Sequence, residues 1–94
     1  MTIPKAQFNK GKIANLAKEL KWLSERLPKL SNQVLIKIVN DAIENKGDTV
    51  TVGRLQNHTM LLSKKAPNGV VYHESFHGVL AFMLSQAEKD KLYR

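Results

Sequence analysis

The spacing of hydrophobic residues predicts a helix in the first third of the chain. Apolar side chains recur every three or four positions, as on one face of a helix, while Lys18, Lys21 and Glu25 fall elsewhere. Pro28 disfavours helical backbone at the residue before it, so the helix is expected to end near Leu27. The predicted stripe consists of Ile13, Leu16, Ala17, Leu20, Leu23 and Leu27.

A second helix is expected directly after the first. Ser31 is a favoured N-cap residue, and Asn45-Lys46-Gly47 is typical of a helix C-terminus. Between them, apolar residues again share a helical stripe. This stripe consists of Leu35, Ile38, Val39 and Ala42.

From Asp48 the period changes to the alternation that is typical of β-strands. Thr49-Val50-Thr51-Val52 alternates polar and apolar residues, and a second β-prone run covers residues 59–63. Gln56-Asn57-His58 lies between the two runs. The pattern therefore predicts a hairpin over residues 49–63.

The last third is predicted to be helical. Residues 64–69 contain Pro-Asn-Gly and indicate a loop, and a third helix is expected from about Val70 to near Leu84. Ser85-Gln86-Ala87-Glu88 has the form of a capping box, which predicts a short terminal helix that ends near Tyr93. Together these elements predict one α+β domain over residues 1–94, with two N-terminal helices, a small antiparallel hairpin or sheet, and two C-terminal helices.

Composition limits the kinds of site and location. The 94 residues include no cysteine, so disulfides and thiolate zinc sites are excluded, and a metal ion would need His, Asp or Glu. No apolar run suits a signal peptide or a membrane helix, so we expect a cytoplasmic protein without a membrane partner. The net charge of +7 is spread over both halves, which permits weak nucleic-acid binding without indicating a basic patch.

One sequence motif contains side chains that could bind a metal ion and activate water. His73-Glu74-Ser75-Phe76-His77 has the form H-E-x-x-H inside the third predicted helix. Residues four apart lie on the same helix face, so the imidazoles of His73 and His77 can converge on one metal ion. Glu74 projects about 100° away, where a carboxylate would miss the metal and reach a water bound to it.

This arrangement suits metal-assisted hydrolysis. Zinc held by His73 and His77 would polarise a water, and Glu74 would act as the general base when that water attacks an amide carbonyl. The motif lies among apolar residues of the helix, which predicts that the histidines face the protein. The alternative is that both are ordinary half-buried histidines hydrogen-bonded to their neighbours.

Beyond the motif, the sequence resembles a family. The segments Val52-Gly53-Arg54-Leu55, Met60-Leu61-Leu62-Ser63 and Gly69-Val70-Val71-Tyr72, followed by H-E-x-x-H, are similar to zincin-type metallopeptidase-like domains of large bacteriophage and bacterial mobile-element proteins. The resemblance covers about residues 22–93, from Trp22-Leu23-Ser24-Glu25 to Leu92-Tyr93. Only H-E-x-x-H is specific, because the flanking segments are loose patterns.

The resemblance implies a zincin half-domain in which helices support a small sheet. It implies zinc as the cofactor, His73 and His77 as ligands, Glu74 as the general base, and a peptide or protein substrate bound as an added strand beside the hairpin. A catalytic zinc site uses three protein ligands, and the third is not evident. Either the chain is a piece of a longer protein, or it is a small protein with an incomplete site. The weak candidates for the third ligand are His58, Glu88, Asp90 and Tyr93.

A second class of function stays open. A catalytically inactive module could keep the zincin framework and bind a protein or nucleic acid through its basic surface. Trp22 is expected to cover the core rather than to dock a partner, and the lysines of the first helix are expected to be solvated. Gly78 either permits the close approach of a neighbouring element or is an ordinary helix glycine.

Overall fold

The computed structural model describes residues 1–10 and 12–83 and confirms the α+β class. Four α-helices lie in the described residues, and the fourth continues into a π-helical segment over Val79–Met83. No helix in this part of the chain combines the length and apolar character that crossing a membrane requires. The helices are α1 (Lys5–Lys10), α2 (Leu16–Arg26), α3 (Pro28–Ser31) and α4 (Val70–Gly78).

Six strands form two small sheets. The first sheet is antiparallel and has the order β1-β4-β3, and the second has the order β2-β6-β5. Within the second sheet, β2 runs parallel to β6 and β5 runs antiparallel to it. The strands are β1 (Thr2–Pro4), β2 (Leu35–Val39), β3 (Glu44–Lys46), β4 (Thr49–Thr51), β5 (Gly53–Gln56) and β6 (Thr59–Ser63).

The first predicted helix is confirmed as α2, although it begins later than the stripe suggests. Asn15 is its N-cap, and the side-chain oxygen accepts a hydrogen bond from the backbone N–H of Lys18 at 3.1 Å. Ile13 lies outside the helix, in an isolated β-bridge with Pro67. The end at Arg26, with Leu27 as the C-cap, agrees with the effect of Pro28 on the residue before it.

The second predicted helix is wrong, because residues 35–39 form strand β2. Lys37 is paired with Leu61 in a parallel register, and the strand forms one edge of the second sheet. Ile36, Ile38 and Val39 of this strand are β-branched, and such side chains pack well on a pleated surface. The helical stripe seen in the sequence is therefore a coincidence of spacing in a short apolar run.

The predicted hairpin is present, with a different first strand. β5 and β6 pair through Gln56 and Thr59, and the two-residue turn Asn57-His58 has φ values of 51° and 61°. Two consecutive left-handed residues give a turn whose twist matches that of the paired strands. Thr49–Thr51 instead forms β4, the central strand of the first sheet.

The third predicted helix begins at Val70, as expected, and lies against the second sheet. α4 contacts β5, β6 and α2. The predicted helix end near Leu84 and the short helix over residues 85–93 lie outside the described residues. The fully buried core joins helices and both sheets, and its largest members are Leu23, Leu30, Val50, Val52, Met60, Leu62, Val70 and Val71.

Candidate active site

Helix α4 brings the two motif histidines together. The Nε2 atoms of His73 and His77 are 3.1 Å apart, and the ring centroids are separated by 4.7 Å with the planes at 71°. Two nitrogens that share a tetrahedral zinc ion at about 2.0–2.1 Å lie about 3.3 Å apart. The 3.1 Å separation is that of a hydrogen bond between the two rings, and it is also close to the spacing of two zinc-bound nitrogens. The predicted convergence of the imidazoles is confirmed.

The histidines face solvent, so the prediction that they point into the protein is wrong. His73 and His77 are exposed, and Phe76 between them is 61% exposed. The buried face of α4 lies against β5, β6 and α2. It consists of Val70, Val71, Glu74, Ser75 and Gly78.

Glu74 lies on the buried side, with only 2% of its side chain exposed. Its Oε2 accepts a hydrogen bond from the Met1 ammonium at 2.7 Å, which forms a buried ion pair. The same ammonium donates to the carbonyl oxygen of Gly53. Met1 also bonds through its main chain: its carbonyl oxygen accepts a hydrogen bond from Val52 N at 2.9 Å. The partner that balances the buried carboxylate is thus the amine of Met1.

Gly53 allows β5 to lie close to this carboxylate. A Cβ atom at this position would be 2.6 Å from Val70 Cγ2 and 3.0 Å from Glu74 Oε2. Both distances are too short for an unstrained contact, so a side chain here would force β5 away from α4. The absence of a side chain at Gly53 is what brings the strand edge to the motif helix.

A cleft of about 730 Å³ joins the motif to the first sheet. Glu74 and His77 belong to its wall, together with β5 and the π-helical segment. The cleft is also lined by an ion cluster in which the Glu44 carboxylate accepts a hydrogen bond from Arg54 and pairs with Lys46 at 3.4 Å. The volume is sufficient for a segment of peptide. The cleft therefore combines one motif histidine, the motif carboxylate and a strand edge.

The described residues supply no third ligand. No group of three His, Asp or Glu side chains within residues 1–10 and 12–83 could hold a metal ion. His58, a weak candidate from the sequence, stacks on Phe82 with a centroid distance of 4.2 Å, and its Nδ1 lies 3.1 Å from the carbonyl oxygen of Gln33. The other candidates, at positions 88, 90 and 93, lie outside the described residues.

Electrostatics favours the neutral form of His73, which is the form that binds a metal. Partial burial of the ring is the largest influence and lowers its pKa, whereas the Glu74 carboxylate raises it. The Met1 ammonium and His77 lower it further. The net effect keeps the pKa of His73 below 6.5, so its lone pair is available at neutral pH.

Glu19 is a residue of this region that sequence reasoning missed. Its carboxylate, on α2, accepts hydrogen bonds from Gly69 N and Val71 N, both at 3.1 Å. Gly69 is the N-cap of α4 and has no side chain to satisfy these amides. Two features of the sequence could have indicated Glu19: it lies on the same helix face as Leu16 and Leu23, and the motif helix lacks its own capping residue.

The structure also decides the predictions for Trp22 and Gly78. Trp22 packs against the core, and its ring meets Tyr72 edge-to-face at 4.7 Å, so the expected covering role is confirmed. At Gly78, a Cβ atom would lie 2.7 Å from Leu30 Cδ1, so the alternative of close approach is the correct one. Gly78 therefore lets α4 pack tightly against α3.

Comparisons of this chain with protein-family models, with curated proteins and with solved structures found no match. The resemblance to zincin-type domains therefore stays a prediction that depends on the motif and its geometry.

Proposed function

We propose that this chain is a zinc-dependent metallopeptidase-like domain that hydrolyses peptide bonds. The observation that carries the proposal is the 3.1 Å separation of the Nε2 atoms of His73 and His77 on one exposed helix face. In the proposed site these two imidazoles hold the metal through their neutral nitrogens. Zinc, when bound, supplies a Lewis acid that activates water for attack on a carbonyl.

Glu74 would accept and return the proton. It lines the same cleft as His77, and its position next to His73 in the chain places it off the metal-binding face. In the present arrangement the Met1 ammonium pairs with its Oε2, so proton transfer requires the amine to move away.

Strand β5 would hold the substrate. It is paired with β6 along one edge, and its residues Gly53, Arg54 and Leu55 line the cleft. An extended peptide could add to the other edge through main-chain hydrogen bonds beyond Gly53, where Met1 already bonds. The strand-addition role of the hairpin is thus assigned to β5 in this proposal.

The test is metal content combined with hydrolysis. Protein purified without added metal is expected to retain zinc, and His73→Ala is expected to lose it. Glu74→Gln is expected to keep the metal and to lose hydrolysis of a mixed unstructured protein substrate by 100-fold or more, on the order of a lost general base. His58→Ala is the matched control, because it removes a histidine outside the motif. Failure of the wild-type chain to bind zinc would overturn the proposal.

A second candidate is a catalytically inactive module that binds a protein or nucleic acid. The Met1–Glu74 ion pair favours it, because the motif carboxylate already has a partner. Such a module is expected not to bind zinc, so His73→Ala should leave the melting temperature unchanged. Binding to nucleic acid would weaken steeply with added salt, as release of counterions requires, and salt-independent binding would exclude it.

A further inference from the structure

The exposed residues of α4 include the two motif histidines and two aromatic side chains. Phe76 is 61% exposed, whereas Tyr72 is 39% exposed and packs edge-to-face against Trp22. Isolated exposed apolar residues are common, but here they flank a pair of imidazoles at metal-binding distance.

The charge of this face differs from that of the chain as a whole. Lys and Arg number 15 in 94 residues, and the net charge is +7. Residues 70–78 contain neither, and the one acidic side chain, Glu74, is buried and paired. The exposed residues of α4 therefore include no lysine, arginine or carboxylate, so this face can approach another copy of itself with little direct repulsion.

Two histidine nitrogens supply only half of the ligands that a tetrahedral zinc ion requires. Structural zinc sites are almost always tetrahedral with four protein ligands. The described part of the chain contributes two nitrogens and no third ligand beside them. A second copy, related by a two-fold axis through the metal, would present the same two nitrogens and close the shell.

The geometry points to a zinc ion shared by two copies of this chain, bound by His73 and His77 of each, with Phe76 packed across the two-fold axis. This inference rests on the zinc-binding part of the proposed function. The shared ion is coordinatively saturated, and the dimer is therefore a resting form with no open position for water. Hydrolysis would require the copies to separate.

Stoichiometry gives a specific test, because a bridging ion and a one-per-chain ion respond differently to excess metal. Sedimentation velocity is measured on the metal-free chain at increasing Zn²⁺. The dimer is expected to be maximal at one zinc per two chains and to decline as excess zinc occupies each chain separately. Zinc binding by a chain that stays monomeric at every ratio would overturn the dimer and leave the proposed metal site intact. Absence of zinc binding would overturn both.

Three variants separate coordination from packing. His77→Ala is expected to remain monomeric at all zinc ratios, whereas His58→Ala, the matched control, is expected to dimerise like the wild-type chain. Phe76→Ala keeps all the ligands and is expected to weaken the zinc-dependent dimer by about tenfold or more, as for an aromatic side chain at the centre of an interface. An equally stable dimer in His77→Ala, or loss of the dimer in His58→Ala alone, would overturn the inference.

Discussion

The carboxylate of Glu19 accepts a hydrogen bond from the backbone N–H of Val71 at 3.1 Å, so a side chain of α2 caps the helix that carries the metal-binding motif. A second bond from Gly69 N completes the cap. The buried acid lies at the positive end of the α4 dipole, where a negative charge is stabilising. The helix that carries His73 and His77 is thus capped by a residue about fifty positions away in the sequence.

We expect Glu19→Ala to lower the free energy of unfolding by about 2 kcal/mol, because two backbone amides at the start of α4 lose their acceptor. Glu25→Ala is the matched control on the same helix. Glu25 is exposed and its pair with Lys21 spans 3.9 Å, so its loss should leave stability nearly unchanged. Urea denaturation of both variants measures the difference. Equal stability of the two variants would contradict the capping role.

The contact between β5 and α4 predicts the effect of a side chain at Gly53. Gly53→Ala places a Cβ atom 2.6 Å from Val70 Cγ2, and relief of that overlap should cost about 1–3 kcal/mol. Gly47→Ala is the comparison: its φ of 56° is strained for alanine, but nothing lies within 4 Å. Thermal unfolding should therefore rank Gly53→Ala as the more damaging change. The reverse order would show that β5 and α4 are not so closely packed.

Two leucines test the assignment of residues 35–39 to an edge strand. Leu30 is fully buried, and Leu30→Ala should destabilise the protein by about 2–5 kcal/mol, as for a cavity in a packed core. Leu35 is 57% exposed on β2, and Leu35→Ala should cost less than about 1 kcal/mol. A buried helical stripe through Leu35 would instead make both changes severe. Chemical denaturation of the two variants distinguishes these outcomes.

The ion cluster in the cleft predicts a pH dependence of stability. The hydrogen bond from Arg54, followed by that from Lys46, lowers the pKa of Glu44 below its usual 4.5. A carboxyl with a lowered pKa contributes stability that is fully present above pH 4.5 and is lost as the pH falls through the folded-state pKa. The melting temperature of Glu44→Gln should therefore lie below that of the wild-type chain at pH 7, and the difference should vanish in acid. A pH-independent difference would exclude this ion pair as its cause.

The elements that local sequence predicted correctly are those in which local preference and tertiary packing agree. The stripe of α2 combines helical period with a good N-cap at Asn15, and the turn at Asn57-His58 separates two β-prone runs. Residues 35–39 have an ambiguous period, and their β-branched content was the better guide. β4 could not be assigned to its sheet from the sequence: its partner β3 follows directly across the turn at Gly47-Asp48, where a helix end was expected, and its other partner, β1, lies far away in the sequence.

Spacing along one helix was sufficient to predict that His73 and His77 converge, because helix geometry alone places residues four apart side by side. It could not predict which way that face points. The packing of α4 on β5, β6 and α2 decided this, since burial of Val70, Val71 and Glu74 turns the histidines to solvent. The partners of Glu74 and Glu19 likewise lie far away in the sequence. Contacts of this kind depend on how the whole chain packs rather than on any local pattern.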